Sequence, residues 1–202
     1  MELANILASI SVIIAAGTFI WSINAWKREH VGRGRIDLAV KVLALFYEAK
    51  DAIRFIRDRG CYWDTVGIVD KQENPDKEIY GGAYPTIARY NKVAHVFNSL
   101  FVMRYEYIAY FGIETEAPFL EMQKIKQEII VAAGEIGECW GCNDRTKFNT
   151  HEEYETNIER ISELKKVIWE TYSSEDIFEE RLNSIICAVE NICKKVNEIK
   201  TI

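Results

Sequence analysis

The chain has 202 residues, of which 49% are hydrophobic and 28% are charged, and its formal net charge is −6 at pH 7. This hydrophobic content is sufficient for a packed core and excludes a wholly disordered chain. The acidic balance, with no basic stripe along the chain, argues against nucleic acid as a partner.

The first 26 residues predict a membrane-spanning helix. Residues 3–26 contain no charged side chain. A helix of that length is about 36 Å long, enough to cross a hydrocarbon core of about 30 Å with some tilt. A cleaved signal peptide is the first alternative, but the segment starts without a basic residue and its apolar stretch is too long. A buried helix of a soluble protein is the second, and the uncharged length disfavours it.

Basic residues follow the span at once and predict its orientation. Lys27, Arg28, Arg33 and Arg35 flank the membrane on the C-terminal side, whereas Glu2 is the charged residue before the span. Because segments rich in Lys and Arg stay in the cytoplasm, we expect the N-terminus outside and the rest of the chain in the cytoplasm. Such a basic segment also suits anionic headgroups, so the lipid bilayer is a predicted partner.

Small side chains line one face of the predicted span, at alternating steps of four and three residues. They are Ala4, Ala8, Ser11, Ala15, Thr18, Ser22 and Ala25, and we call this set the small-residue seam. Helices in lipid associate through close backbone approach and hydrogen bonds, which small residues allow. With one span per chain, the partner helix comes from another chain, and the seam predicts a homo-oligomer. The alternative is that small residues are common in membrane helices for other reasons.

The sequence divides into three predicted parts. Residues 1–26 form the transmembrane helix, residues 27–34 form a basic juxtamembrane joint made flexible by Gly32 and Gly34, and residues 35–202 form a cytoplasmic helical bundle. Helical periodicity dominates the third part, and no alternating apolar run predicts a sheet. The predicted fold class is all-α, an N-terminal transmembrane helix followed by a bundle of about five amphipathic helices.

The first three bundle helices are predicted from residues that typically begin or end a helix. The first covers residues 35–59, Pro85 opens the second, and Gly112 ends it. Pro118 lies at the start of the third, and a polar loop covers residues 61–84. The expected core face of the first helix is Ile36, Ala39, Leu43, Phe46, Ile53 and Ile56. The expected core face of the third is Phe119, Met122, Ile125, Ile129, Ala133 and Ile136.

Capping signals predict the last two helices. A second loop covers residues 137–149, and Thr150 with Glu153 then forms a capping box. Ser173 with Asp176, or Ser174 alone, is expected to cap the final helix. That helix carries apolar residues at steps of three and four over several turns, which is typical of a coiled coil. The last two helices could pair as a hairpin.

Cys139 and Cys142 form the one motif-like spacing, Cys-Trp-Gly-Cys. A redox pair would need a strand before it and a helix after it, whereas a helix is predicted before it and a loop after it. A zinc site would need two more ligands, for which His151, Cys187 and Cys193 are the candidates. Unreactive thiols in a reducing cytoplasm are the favoured interpretation.

Other chemical signatures do not occur in the sequence. None of the three histidines follows a glutamate by three residues, the spacing of helical di-iron sites. His95 lies beside an apolar face and is expected to be a packed or surface side chain. No phosphate loop, serine elbow or zinc-protease motif is present. The sequence therefore predicts no catalytic residue, no cofactor, no metal site and no enzymatic activity.

Three segments resemble uncharacterised bacterial single-pass membrane proteins with a helical cytoplasmic domain. They are RIDLAVKVLALFYEAKDAIRFIR at 35–57, YNKVAHVF at 90–97 and RYEYIAYFG at 104–112. The resemblance implies a helical protein of the bacterial inner membrane. It transfers no functional residues.

Two functional classes fit these observations, and a third is weaker. The favoured one is a self-associating inner-membrane scaffold or signal transducer that binds a protein partner. The second is a membrane-perturbing effector of the phage-defence (antiviral) or toxin type, because clustered spans with hydroxyl groups can line a polar path. The third is a membrane-tethered enzyme or metal-binding bundle, which would need a polar pocket in the bundle core.

Overall fold

A computed structural model describes residues 2–59, 81–140, 148–171 and 176–198 of the chain. In these ranges every regular element is helical, which confirms the predicted all-α class for the described part. The five α-helices are α1 (Glu2–Arg57), α2 (Tyr84–Phe111), α3 (Ala117–Trp140), α4 (His151–Ile168) and α5 (Glu179–Glu198). Two short 3₁₀ turns, Gly81–Ala83 and Ile113–Thr115, precede α2 and α3.

Helix α1 differs from the prediction because it is continuous through residues 27–34. Its 56 residues include Gly32 and Gly34 without a break, and at 1.5 Å per residue the helix is about 84 Å long. A glycine costs a helix only about 1 kcal/mol relative to alanine, and its peptide still forms the helical hydrogen bond. Arg33 also pairs with Glu29 one turn earlier, at 2.7 Å. Helix α1 is therefore continuous where the sequence predicts a flexible joint, and the division into three parts remains a prediction.

The main core lies around the second half of α1. Val42, Phe46 and Ile53 are fully buried there, and they pack with residues of α2, α3 and α5. The Phe46 and Phe119 rings meet edge to face, with centroids 4.8 Å apart. A smaller cluster joins the start of α2 to the ends of α3 and α4. The described bundle is therefore built onto the C-terminal half of α1.

Local signals set the ends of α2 as predicted. Pro85 lies in the first turn of α2, and Gly112 ends the helix with φ of 97°. The backbone angle requires glycine at this position, because side chains with a Cβ atom rarely adopt such a positive φ. Helix α3 then buries all six predicted core residues, but it continues to Trp140, beyond the predicted loop start at residue 137.

The last two helices begin in different ways. The predicted capping box is confirmed in α4: Thr150 Oγ1 accepts a hydrogen bond from the Glu153 N–H at 3.2 Å, and the Glu153 carboxylate accepts one from the Thr150 N–H at 3.4 Å. Helix α5 begins at Glu179, later than predicted. Ser173 and Ser174 lie outside the described residues. The Asp176 carboxylate accepts a hydrogen bond from the Phe178 N–H at 3.0 Å, just before α5 begins.

Polar contacts show that α5 runs antiparallel to α1. Successive partners along α1 are Tyr47 with Glu190, Lys50 with Asn183, and Arg54 with Glu179. The buried Cys193 thiol continues this register by donating to the Ala39 carbonyl at 3.5 Å. The C-terminal end of α5 therefore lies on the side of the bundle from which the apolar half of α1 emerges.

Candidate functional site

Residues 10–26 of α1 form an apolar stretch of helix that no described residue of the chain covers. Ile13, Phe19 and Trp21 are 70%, 67% and 70% exposed. The segment is long and apolar enough to cross a membrane, and none of its apolar 18-residue window is buried. Soluble proteins rarely leave apolar surfaces of this length exposed to water.

The small-residue seam lies on this uncovered half of the helix. Ser11, Ala15, Thr18 and Ser22 are exposed and Ala25 is partly exposed, while the side chains of Ala4 and Ala8 lie outside the described part. The Thr18 hydroxyl donates to backbone carbonyls of its own helix, at 2.9 Å to Ala15 and 3.1 Å to Ile14. The Thr18 hydroxyl therefore has its hydrogen bond without a second helix. The small side chains of the seam are what would allow close packing of two helices.

The seam also faces away from the bundle. At about 100° per residue, its centre lies roughly 130° around the α1 axis from the face that buries Val42, Phe46 and Ile53. Two copies of α1 can therefore bring their seams together without placing their bundles between the helices. This direction follows only because α1 has no joint.

The four cations that the sequence predicts to flank a membrane surround α1 just beyond the apolar stretch. Lys27, Arg28, Arg33 and Arg35 are all exposed. Beside them the rings of Trp26 and His30 stack, with centroids 5.4 Å apart and an interplanar angle of 16°. The helix thus changes from apolar to cationic within about one turn of Trp26.

The other end of α1 carries a buried ion pair that sequence reasoning missed. Arg57 is 3% exposed, and its Nη1 lies 2.6 Å from Asp176 Oδ1. Its guanidinium also donates to the carbonyls of Val167, Lys166 and Trp169 at 2.8–3.0 Å, which caps the C-terminal end of α4. A signal for this residue existed, because Arg57 continues the three-four spacing of Phe46 and Ile53 on the core face.

Arg89 caps α1 in the same region. Its side chain is 1% exposed, and Nη1 donates to the carbonyls of Ile56 at 3.0 Å, Phe55 at 3.2 Å and also Asp58. A cation at the C-terminal carbonyls of a helix also interacts favourably with the helix dipole. Arg57 and Arg89 therefore tie the end of α1 to α4, α5 and α2, which is a structural function.

Burial opposes the charge on Asp176, but hydrogen bonds from Arg57 and from the Phe178 and Thr171 N–H groups together lower the pKa of its carboxyl. A carboxyl whose pKa is lower in the folded state stabilises the fold above its unfolded pKa of about 4, and this contribution is lost as the pH falls through the folded value. We therefore expect the stability difference between wild type and Asp176→Asn to be largest near neutral pH and to shrink in acid. Thermal unfolding at a series of pH values measures it, and a difference independent of pH would contradict the prediction.

The cysteines and histidines do not converge in the part of the chain that the structure describes. Cys139 lies half-buried in the last turn of α3 and Cys187 is exposed, while Cys142 is outside the described residues. His95 is exposed on α2, and His151 Nε2 lies 3.1 Å from Glu155 of its own helix. Among the described residues, no group of three or more His, Cys, Asp or Glu side chains is arranged to hold a metal ion.

Comparisons with known proteins do not assign the chain to a family. No protein-family model, no curated protein and no solved structure matches it. The geometry of α1 and of the bundle is therefore the basis for a functional proposal.

Proposed function

We propose that the chain is a self-associating, single-pass protein of the bacterial inner membrane, with its N-terminus outside and its helical bundle in the cytoplasm. In this proposal the bundle acts as a scaffold or signal transducer for a protein partner. The carrying observation is the continuity of α1, which is apolar and uncovered by the described chain over residues 10–26 and packs one face of its second half into the bundle core. In this proposal one continuous helix lies partly in the membrane and partly in the bundle.

The charge pattern supports the proposed orientation. The four cations at residues 27–35 follow the apolar half, and positive flanks are retained on the cytoplasmic side. A transducing role is supported by the unbroken helix, because a displacement or rotation of the span reaches the bundle without being absorbed at a joint. A scaffold role is supported by the direction of the seam, which leaves the bundle surfaces accessible when spans pair.

Membrane insertion is tested by adding charge to the span. Replacing Ile13 and Ile14 with arginine is expected to prevent stable insertion, because each arginine at the centre of a span costs about 2.5–3.5 kcal/mol. The measurement is the share of the chain that stays with bacterial membranes after an alkaline wash. The orientation is measured with a fluorescent protein that is bright only in the cytoplasm, fused to the C-terminus of the chain.

Arginines at Val102 and Tyr105 are the matched control. These side chains on α2 are 69% and 68% exposed, so the control adds the same charge to an apolar surface outside the span. We expect it to leave the chain in the membrane fraction. Recovery of wild-type chain from the aqueous fraction without detergent would overturn the proposed function.

A further inference from the structure

We propose that residues 26–35 of α1 form a binding surface for anionic phospholipid headgroups, centred on Trp26, His30 and Arg33. The inference rests on the proposed membrane span and names the lipid class that its cytoplasmic end recognises. It goes further than orientation, because it assigns a preference between lipids to particular side chains.

The unbroken helix sets the height of each cation above the apolar segment. Lys27 and Arg28 lie within one turn of Trp26, and Arg33 and Arg35 lie about 10–14 Å further along the axis. The headgroup layer of one leaflet is about 5–8 Å thick. Side chains on a helix lean toward its N-terminus, which here is the proposed membrane side, so the long arginines lean back toward the headgroups.

These cations differ from the other arginines of the described chain. Within the described ranges, Lys27, Arg28 and Arg35 form no salt bridge, and each is exposed. By contrast, each described arginine of the bundle has a carboxylate, carbonyl or aromatic partner in the chain. These are Arg54, Arg57, Arg59, Arg89, Arg104, Arg160 and Arg181. Lys27, Arg28 and Arg35 are therefore available to an anion outside the chain.

A shallow cleft on the same segment offers a place for a phosphate group. It has a volume of about 140 Å³ and is lined by Trp26, Glu29, His30 and Arg33. The stacked indole and imidazole rings form one wall, where an indole suits the membrane interface. Arg33 Nη2 donates to Glu29 at 2.7 Å, and these two side chains are 68% and 60% exposed. Glu29 therefore competes with a lipid phosphate for Arg33, and it opposes an anion in the cleft.

This competition gives two substitutions with opposite expected effects. Arg33→Gln with Arg35→Gln should lower the preference for anionic lipid, by about fivefold for each cation removed, since a basic residue near an anionic surface contributes about 1 kcal/mol. Glu29→Gln should raise the preference, because it frees Arg33 and removes a negative charge from the cleft. If the Glu29–Arg33 pair only supported the helix, both variants would leave the lipid preference unchanged.

The full chain in vesicles of phosphatidylcholine, with or without phosphatidylglycerol, provides the test. Quenching of Trp21 and Trp26 fluorescence by brominated forms of each lipid measures the relative binding constant of phosphatidylglycerol over phosphatidylcholine. We expect the wild type to prefer phosphatidylglycerol. The preference should be weaker in the Arg33→Gln, Arg35→Gln variant and stronger in Glu29→Gln. Arg160→Gln with Glu135→Gln, an exposed pair between α4 and α3, is the matched control and should leave it unchanged.

The outcomes separate this inference from the proposed function. Equal quenching by both lipids, or equal preferences in wild type and the arginine variant, would overturn the headgroup surface while leaving the span intact. Absence of quenching by either lipid would show that the helix does not enter the bilayer, and it would overturn both proposals.

Discussion

Replacing Arg57 with alanine is expected to lower the free energy of unfolding by about 3–5 kcal/mol, because it leaves the Asp176 carboxylate buried without its charge partner. The two side chains are 3% and 8% exposed. The substitution also removes the donors to three carbonyl groups at the end of α4. Urea unfolding of the detergent-solubilised chain, followed by circular dichroism, measures the change.

Arg160→Ala is the matched control for this prediction. Arg160 pairs with Glu135 at 3.0 Å, but the two side chains are 59% and 36% exposed, so solvent screens the pair and its loss should change stability very little. Arg57→Met keeps an apolar stem over Phe178, and separates lost packing from lost charge. Equal losses for Arg57→Ala and Arg160→Ala would show that the buried pair does not hold the helices together.

Leucine at Ala15 and Ser22 is expected to separate self-associated spans. Both residues lie on the small-residue seam and are exposed on α1. A larger side chain keeps the helix backbones apart, and overpacking of this kind costs about 1–3 kcal/mol per site. The dissociation constant between chains should therefore rise by at least about tenfold. Light scattering of the chain in detergent measures the mass of the assembly.

Ile13→Leu with Ile20→Leu is the control for the seam substitutions. These two isoleucines lie roughly opposite the seam on α1, so the pair of changes alters side-chain shape without affecting the packing face. The assembly mass should stay that of the wild type. An unchanged mass in the Ala15→Leu, Ser22→Leu variant would contradict self-association through the seam.

The Ala15→Leu, Ser22→Leu variant also tests the role of the assembly. If a partner protein binds the assembled bundles, less of that partner should be cross-linked in cells to the variant with leucines in the seam than to the wild-type chain. Equal recovery would indicate binding to single chains. Membrane potential distinguishes the effector alternative, because an assembly that perturbs the bilayer should depolarise cells and lose that effect in the variant.

Signals carried by near neighbours in the chain predicted several elements correctly. Pro85 and Gly112 mark the ends of α2, and Thr150 with Glu153 begins α4. The core face of α3 was also predicted in full, because its apolar residues recur at a regular helical spacing. A cap, a positive φ and a periodic face each depend on a few adjacent residues.

Predictions that depend on packing were less accurate. On α1, Leu38, Val42 and Ala49 are buried although they were not assigned to its core face, whereas Ile36 and Leu43 are only partly buried. Both α2 and α5 contact the C-terminal half of α1, so the buried face of this half is wider than a single stripe of residues at three-four spacing. Helix α5 also begins later than predicted, and Asp176 just before it pairs with the distant Arg57.

The sequence by itself determined that the chain is helical and that its first helix has a long, uncharged, apolar half followed by cations. Length, charge and local caps are properties of consecutive residues, so they can be read without a fold. Only the tertiary structure decided that Arg57 meets Asp176, 119 residues away, that Arg89 caps α1, and that the seam faces away from the bundle. Those relations depend on which helices pack together and on the unbroken path of α1, and a linear pattern contains neither.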